Sequence, residues 1–278
     1  MTDRLTGFFE RYQFKARLFY AGTLCSSTDI GTSDGVGYLH LIRSGKLTVR
    51  SPDHSPLVIE QPSMLFYPRP INHRFDFEDR QEADFVCASL DFGSQVTNPL
   101  VHALPQILLI PLAELPAMSS TLELLFSEAL QEESGRLSAI ERLFEYLLIQ
   151  VLRHLLEHHQ TQVGLLAGLA DKRLAKVLIA AHSNPQQNWT LDSLAQTAGM
   201  SRARFAVHFR ETVGMTPGDY LANWRVGLAQ VLLTKGKSVE LVANEVGYAS
   251  ATALSRVFKA QVGQTPYAWR KHDHAANK

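Results

Sequence analysis

Cysteine is scarce in this chain. Cys25 and Cys87 are the two among 278 residues. That is too few for a disulfide scaffold, and the expectation is a reducing compartment, the cytoplasm. Long hydrophobic runs are missing as well. No stretch of about 18 apolar residues occurs, so neither a membrane-spanning helix nor a membrane partner is expected. The opening segment MTDRLTGFFERYQFKARLF mixes charges throughout and lacks the apolar core of an export signal. Paired carboxylates, a nucleophile elbow and a phosphate-cradling loop are also absent, and the chain is expected not to be an enzyme. Against these absences stand 45% hydrophobic and 19% charged residues, the composition of a globular protein with full cores. The length is comfortable for two domains.

An excess of one charge sign is missing only on average. Residues 171–278 carry 14 Lys and Arg against 7 Asp and Glu, a net +7. The remainder carries 13 against 20, a net −7. Such a split between halves points to an anionic partner for the basic half.

Residues 1–95 read as β structure. Phe14–Leu24, Gly37–Arg50, Leu57–Tyr67 and Asp84–Phe92 alternate partially and are rich in β-branched and aromatic residues. Turn clusters TSDG, SPDHSP and YPRP separate them, which predicts a sandwich or small barrel. Residues 99–116 carry four prolines and read as a bridge. Two helices are predicted over 117–160. The first places Leu122, Leu125, Phe126 and Ala129 on one face. The second places Leu143, Tyr146, Leu147, Gln150, Val151, His154 and Leu155 on another. The width of that apolar face leaves two readings open, packing on the β domain or a homodimer interface. VGLLAGLA, residues 163–170, reads as a linker.

Residues 171–271 read as helical and contain a repeat. Ala195 and Gly199 recur as Ala243 and Gly247 at an offset of 48. Ser201, Phe209, Gly214 and Thr216-Pro217 recur as Ser250, Phe258, Gly263 and Thr265-Pro266 at an offset of 49. The second turn therefore holds one extra residue. Each copy has the parts of a helix-turn-helix. Thr190 or Ser238 caps a first helix with an acidic residue in its first turn. A small Ala permits close helix approach, and a Gly supplies the positive φ of the turn. Ser201 or Ser250 caps the second helix, and Thr-Pro opens a third. The second helix buries Phe205 and Phe209 in copy one, and Leu254, Val257 and Phe258 in copy two. Its other face is notably bare. Copy one offers Arg202, Ala203, Arg204, Ala206, Val207 and Arg210; copy two offers Ala251, Thr252, Ser255, Arg256 and Lys259. Small residues let a helix press into a major groove, Ala and Thr methyls meet thymine methyls, and Arg takes a guanine edge. The segment Thr216–Lys235, roughly 25–30 Å long at helical rise, reads as a spacer. It would set the two recognition helices about one DNA turn, roughly 34 Å, apart. Trp224 is expected in its core.

On these residues the C-terminal part resembles the tandem helix-turn-helix domain of AraC/XylS-type transcription regulators. The match runs from DKRLAKVLIAAHSNPQQNWTLDSLAQTAGMSRARFAVHFRETVGMTPGDYLANWR through GYAS, F-K and G-x-T-P. The resemblance implies sequence-specific binding to double-stranded DNA at promoter sites, as a homodimer, with RNA polymerase as a further partner and activation among the expected roles. Residues 13–92 resemble the cupin-type sensor of such regulators, through YLHLIRSGKLTV and VIEQPSMLFYPRPINHRF. Gln61-Pro62-Ser63 stands where Gly-Asp is usual, and Leu39-His40 replaces the His-x-His of metal-binding cupins. The fold expected is thus α+β and multidomain. A cupin-like sensor barrel occupies 1–116, a helical dimerisation segment 117–162, a linker 163–170, and an all-α tandem helix-turn-helix domain 171–274.

The signal is open among three readings. His40, His73, Cys25 and Cys87 form a mixed N/S site for a metal ion such as zinc. Alternatively the cysteines sense an oxidant or electrophile, or all four are ordinary structural residues. No cofactor is certain, and the effector is a small molecule or an oxidant. Two further alternatives are a metal-binding cupin enzyme and an architectural DNA binder of shallow sequence preference.

Overall fold

The computed structural model describes residues 3–9, 14–32, 35–78, 80–92, 98–158 and 163–276. In chain order, a short helix α1 (Thr6–Phe9) precedes eight strands: β1 (Lys15–Leu24), β2 (Thr28–Ile30), β3 (Gly37–Gly45), β4 (Leu47–Arg50), β5 (Leu57–Ile59), β6 (Ser63–Tyr67), β7 (His73–Asp76) and β8 (Ala83–Asp91). Helix α2 (Pro99–Ala103) and strand β9 (Leu108–Pro111) follow. The rest is helical: α3 (Ser119–Leu130), α4 (Arg136–Glu157), α5 (Leu165–Ala170), α6 (Leu174–Ser183), α7 (Leu191–Ala198), α8 (Arg202–Val213), α9 (Pro217–Thr234), α10 (Val239–Glu245), α11 (Ala251–Val262) and α12 (Pro266–Ala276).

The chain divides into two compact units. One holds Phe14–Phe92 and Pro105–His154; the other holds Met1–Gln13, Gly93–Leu104 and Leu155–Lys278. In the first, every strand pairing is antiparallel. The strands form a five-stranded sheet, β1-β8-β3-β6-β9, and a four-stranded sheet, β2-β7-β4-β5. Alternation sends Tyr38, Ile42, Leu65, Phe85 and Cys87 of the larger sheet into one core with Leu47, Val49, Ile59 and Phe75 of the smaller. The expected barrel is thus seen as two antiparallel sheets sharing one core. Strand β3 lies in the middle of the larger sheet, and its residues Gly37–Ile42 are buried on both faces.

The long helix α4 departs from the expected stripe. Its buried residues are Ile140, Phe144, Leu147, Leu148, Val151, Leu152, Leu155 and Leu156. Tyr146 is 47% exposed, and Leu143, Gln150 and His154 are half-buried. The apolar band is wider than one helix face. The positions rotated by one residue from the expected set are the ones with a partner to pack on. Residues 159–162 of the expected dimerisation segment lie outside the described residues.

In the helical unit the segment expected as a linker is part of the core. Leu165, Leu166 and Leu169 of α5 are buried, and the Gly168 backbone passes close to Leu178 and Val213. Leu165–Leu169 are apolar at every position and all buried, so this part of the segment folds inward as a helix rather than spanning free, while Val163 before it is 51% exposed. Residues from the N-terminus join this unit as well. Phe8 is 2% exposed, with its ring centroid 6.2 Å from that of Trp224, and Arg4 Nη1 donates to the Leu169 carbonyl at 3.0 Å. Asn98, at the N-cap of α2, accepts from the Leu100 amide. Residues 3–9 and 98–104, expected within the β domain, are therefore built into the helical one.

Candidate nucleic-acid interface

Both repeats fold as helix-turn-helix motifs, and local chemistry decides where each helix starts. Thr190 Oγ1 accepts the Ser193 amide at 3.1 Å, and Ser193 Oγ accepts the Thr190 amide at 2.9 Å. This reciprocal box opens α7, with Asp192 in its first turn. In the second copy Ser238 Oγ accepts the Leu241 amide, and Glu240 lies in the first turn of α10. The turns follow at Gly199 (φ 64°) and Gly247 (φ 88°), a left-handed conformation that costs a side-chain-bearing residue about 1–2 kcal/mol. Ala195 and Ala243 are buried. Ser250 Oγ caps α11 by accepting the Ala253 amide at 3.2 Å. Ser201 does not do the same for α8: it holds the extended N-cap backbone without a side-chain bond.

The second helices present the faces read from sequence. In α8, Phe205, Phe209 and Val213 are buried, while Arg202, Ala203, Arg204, Val207 and Arg210 are exposed and Ala206 is half-buried. In α11, Leu254 and Phe258 are buried, and Val257 packs half-buried beside them. Thr252, Arg256 and Lys259 are exposed; Ala251 and Ser255 are half-buried. Arg202 has an intramolecular partner, Asp192 Oδ2 at 3.4 Å. Arg256 has no ion-pair partner among the described residues.

A single helix, α9, covers the expected spacer. Thr216 Oγ1 caps α9 through the Asp219 amide, with Pro217 at the first helical position. Trp224 is 1% exposed, and its ring stacks on His182 at 3.8 Å between centroids. Thr265 Oγ1 likewise accepts the Ala268 amide at the start of α12.

In the β unit, the four candidate sensor residues are only partly gathered. His40 Nε2 and His73 Nε2 lie 2.9 Å apart, both rings buried among Tyr38, Tyr67 and Phe75. Cys87 stands opposite His40 in the β3–β8 register, and opposite Tyr20 in the β1–β8 register. Cys25 is exposed, one residue past the end of β1. Among the described residues no three His, Cys, Asp or Glu side chains converge to hold a metal ion, so the four-residue metal set is not assembled. Cys25 sits outside the core that encloses the other three.

Hydrogen bonding fixes the tautomers of the histidine pair. His73 Nδ1 faces the Ile71 carbonyl at 2.8 Å and must donate to it. Its Nε2 is then an acceptor, so His40 Nε2 donates. This leaves His40 Nδ1 as a bare lone pair, buried with no partner among the described residues. Burial pushes His73 down to about 4, and burial with the neighbouring His73 holds His40 well below the usual histidine range. Both rings are neutral at pH 7. Burial raises the Cys87 thiol well above its ordinary range, so it stays protonated.

A cupin family model matches residues 3–157, and a helix-turn-helix domain model matches residues 194–272. Over 259 residues the chain is 32% identical to an HTH-type transcriptional regulator of Haemophilus influenzae, covering 85% of this chain and 87% of that protein. The chain belongs to the AraC-type transcription regulators.

An AraC-like regulator of Streptomyces lividans is 36% identical over 193 residues, 67% of this chain. The match spans 63% of that relative's length. The regulator is also similar to the DNA-binding domain of AdpA, solved with a target DNA. That domain is 36% identical, with a TM-score of 0.37, over 38% of this chain and 96% of the domain. The relatives are regulators and not cupin enzymes, so the enzyme alternative falls away.

Two groups escaped the sequence reading. Lys172 and Arg173, at the start of α6, line an open groove with Ala203, Arg204 and Val207 of α8. Nothing in the repeat pattern marks them, because they precede it. Arg225 stands in the middle of α9, among the apolar residues of the spacer. Its signal was a lone charge in LANWRVGLAQVLL.

Proposed function

We propose that the regulator acts in the cytoplasm as a homodimer that binds double-stranded DNA at promoter sites, with α8 and α11 in successive major grooves. The observation that carries this reading is the matched pair of second helices. Each is anchored by buried aromatic or aliphatic residues, and each offers a bare face flanked by basic side chains. Arg202, Ala203, Arg204, Ala206, Val207 and Arg210 serve the first half-site; Ala251, Thr252, Ser255, Arg256 and Lys259 serve the second. Arg256 is the principal base reader of α11. Leu137, 59% exposed, and Tyr146 on α4 support a dimer contact through that helix. RNA polymerase is the further partner at a promoter.

The N-terminal unit senses the signal, a small molecule or an oxidant. Cys25 is the accessible thiol, and Cys87 is too well buried to be attacked first. The buried His40–His73 pair, with one bare imidazole nitrogen, is the polar centre an effector would engage.

Selection of sites from random duplexes by the full-length protein, with and without peroxide, tests both halves of the proposal. A two-part site is expected, with occupancy that changes on oxidation. Enrichment of no sequence would point to an architectural binder. An unchanged response after Cys25→Ser with Cys87→Ser would remove the oxidant reading.

A further inference from the structure

Helix α9 joins the two motifs, and Arg225 stands half-buried at its middle. Its Nε donates to the Pro185 carbonyl at 2.9 Å, and its Nη2 donates to the Gln187 carbonyl at 2.8 Å. Both carbonyls belong to the loop between α6 and α7, at the entrance to the first motif. That loop is itself braced, since Trp189 Nε1 donates to the Asn184 carbonyl at 2.9 Å. The guanidinium also lies 5.6 Å from the ring centroid of Tyr248, in the turn of the second motif. One side chain thus holds backbone at the entrance to the first copy and an aromatic face from the second.

The turn beside it is pressed onto the same loop. A Cβ added at Gly247 would lie 2.7 Å from the Pro185 carbonyl oxygen, 2.9 Å from Arg225 Nη2 and 2.9 Å from Gln186 Cα. The first copy has no such contact: a Cβ added at Gly199 would meet nothing within 4 Å. The one break in the repeat falls here too. Gly199 and Ser201 are separated by Met200 alone, whereas Gly247 and Ser250 are separated by Tyr248 and Ala249. The extra residue lies in the turn whose Tyr248 reaches Arg225.

We propose that Arg225 is a positioning residue that ties the loop of the first motif to the turn of the second, so that the regulator discriminates the spacing between its two half-sites on DNA. This rests on the reading of α8 and α11 as the two DNA-reading helices. A planar fork bound to two carbonyls, with its face on an aromatic ring, fixes orientation in a way that a flexible ammonium would not. Two binding modules joined rigidly gain effective concentration at one span and lose it steeply at others. A looser joint lowers the peak and broadens the tolerated spans.

The test uses the full-length protein and the DNA site selected from random duplexes. Three duplexes are compared: the selected site, the same site with one base pair inserted between its halves, and a site with one half scrambled. For the unaltered protein the insertion is expected to weaken binding by about tenfold or more. Arg225→Met, which keeps the apolar stem, is expected to weaken binding to the intact site by about three- to tenfold. It should reduce the insertion penalty to about threefold or less and leave binding to the single half-site within about twofold. An insertion penalty equal to that of the unaltered protein overturns the proposal. So does a loss on the single half-site that matches the loss on the whole site, which would make Arg225 a DNA contact or a folding residue. Should Arg225→Met lose its helical circular dichroism, Tyr248→Leu decides. It keeps both carbonyl bonds, and it should reduce the penalty in the same direction but less; an unchanged penalty overturns the clamp. A selected site without two separable halves overturns the two-helix reading and the clamp with it.

Discussion

Gly199 bends the first motif in open space, and Gly247 makes the same bend with Pro185, Gln186 and Arg225 packed against it. Ser201 starts its helix without a side-chain bond, and Ser250 caps its helix. Arg202 leans on Asp192, and Arg256 has no ion-pair partner among the described residues. The two copies share a plan in their cores and in the caps of their first helices, and differ in the second cap and where they meet other parts of the unit. A repeated sequence therefore specifies a repeated local fold, while the surroundings give each copy its own set of contacts.

The shared plan is tested first, because it carries the largest effect. Phe209→Ala and Phe258→Ala each remove a fully buried ring and are expected to cost about 3–5 kcal/mol in urea unfolding of the helical unit. Costs that differ by more than about 2 kcal/mol would break the equivalence of the two cores. The turns should then separate the copies. Gly199→Ala meets only the positive-φ penalty, about 1–2 kcal/mol. Gly247→Ala adds the displacement of backbone and guanidinium, and about 2–4 kcal/mol is expected. Equal costs would show that the Gly247 contact relaxes freely.

Acid should distinguish the β unit from both copies. His73 has a folded-state value of about 4 against roughly 6.5 unfolded, so the unfolded chain binds the proton first as pH falls. Stability is fully present above about pH 6.5 and is lost toward pH 4. His73 alone is expected to remove about 2.5 kcal/mol between pH 7 and 4.5, and His73→Phe should flatten that dependence. On DNA, Arg256→Ala should weaken specific binding by about 1–3 kcal/mol and relax the base preference at one position. Arg202→Ala, already paired with Asp192, should cost less. A titration series on the selected site and its single-base variants reads the difference; a larger loss for Arg202→Ala would reverse the assignment. The caps give the smallest contrast. Ser250→Ala should cost about 1 kcal/mol. Ser201→Ala should stay within about 0.5 kcal/mol, measured by thermal unfolding.

Much of the helical unit was legible in the sequence because its determinants are local. A cap bond such as Thr190 with Ser193 spans three residues, and the left-handed turn at Gly199 or Gly247 is a property of one residue. The period-3.6 burial of Phe205 and Phe209 requires only that the helix has an inside. Other features hid behind sequence distance. His40 and His73 are 33 residues apart and meet only when β3 and β7 bring their inner faces to one core. Arg225 and Pro185 are 40 apart. VGLLAGLA gave no sign of burial against α6 and α8, since an apolar segment with glycines reads equally as a connector. On α4 the apolar band was too wide for periodicity to choose which face would pack.

The sequence by itself determined the family, the two motifs, the caps of their first helices, their turns, and the bare faces of α8 and α11. These follow from hydrogen bonds and dihedral preferences confined to a few neighbouring residues. Tertiary structure alone decided that two histidines share one proton-poor chamber, that the expected linker is core, and that Arg225 holds the second copy to the first. Each of these depends on groups far apart in the chain meeting at a few ångströms, where burial removes water and leaves geometry to decide charge and position.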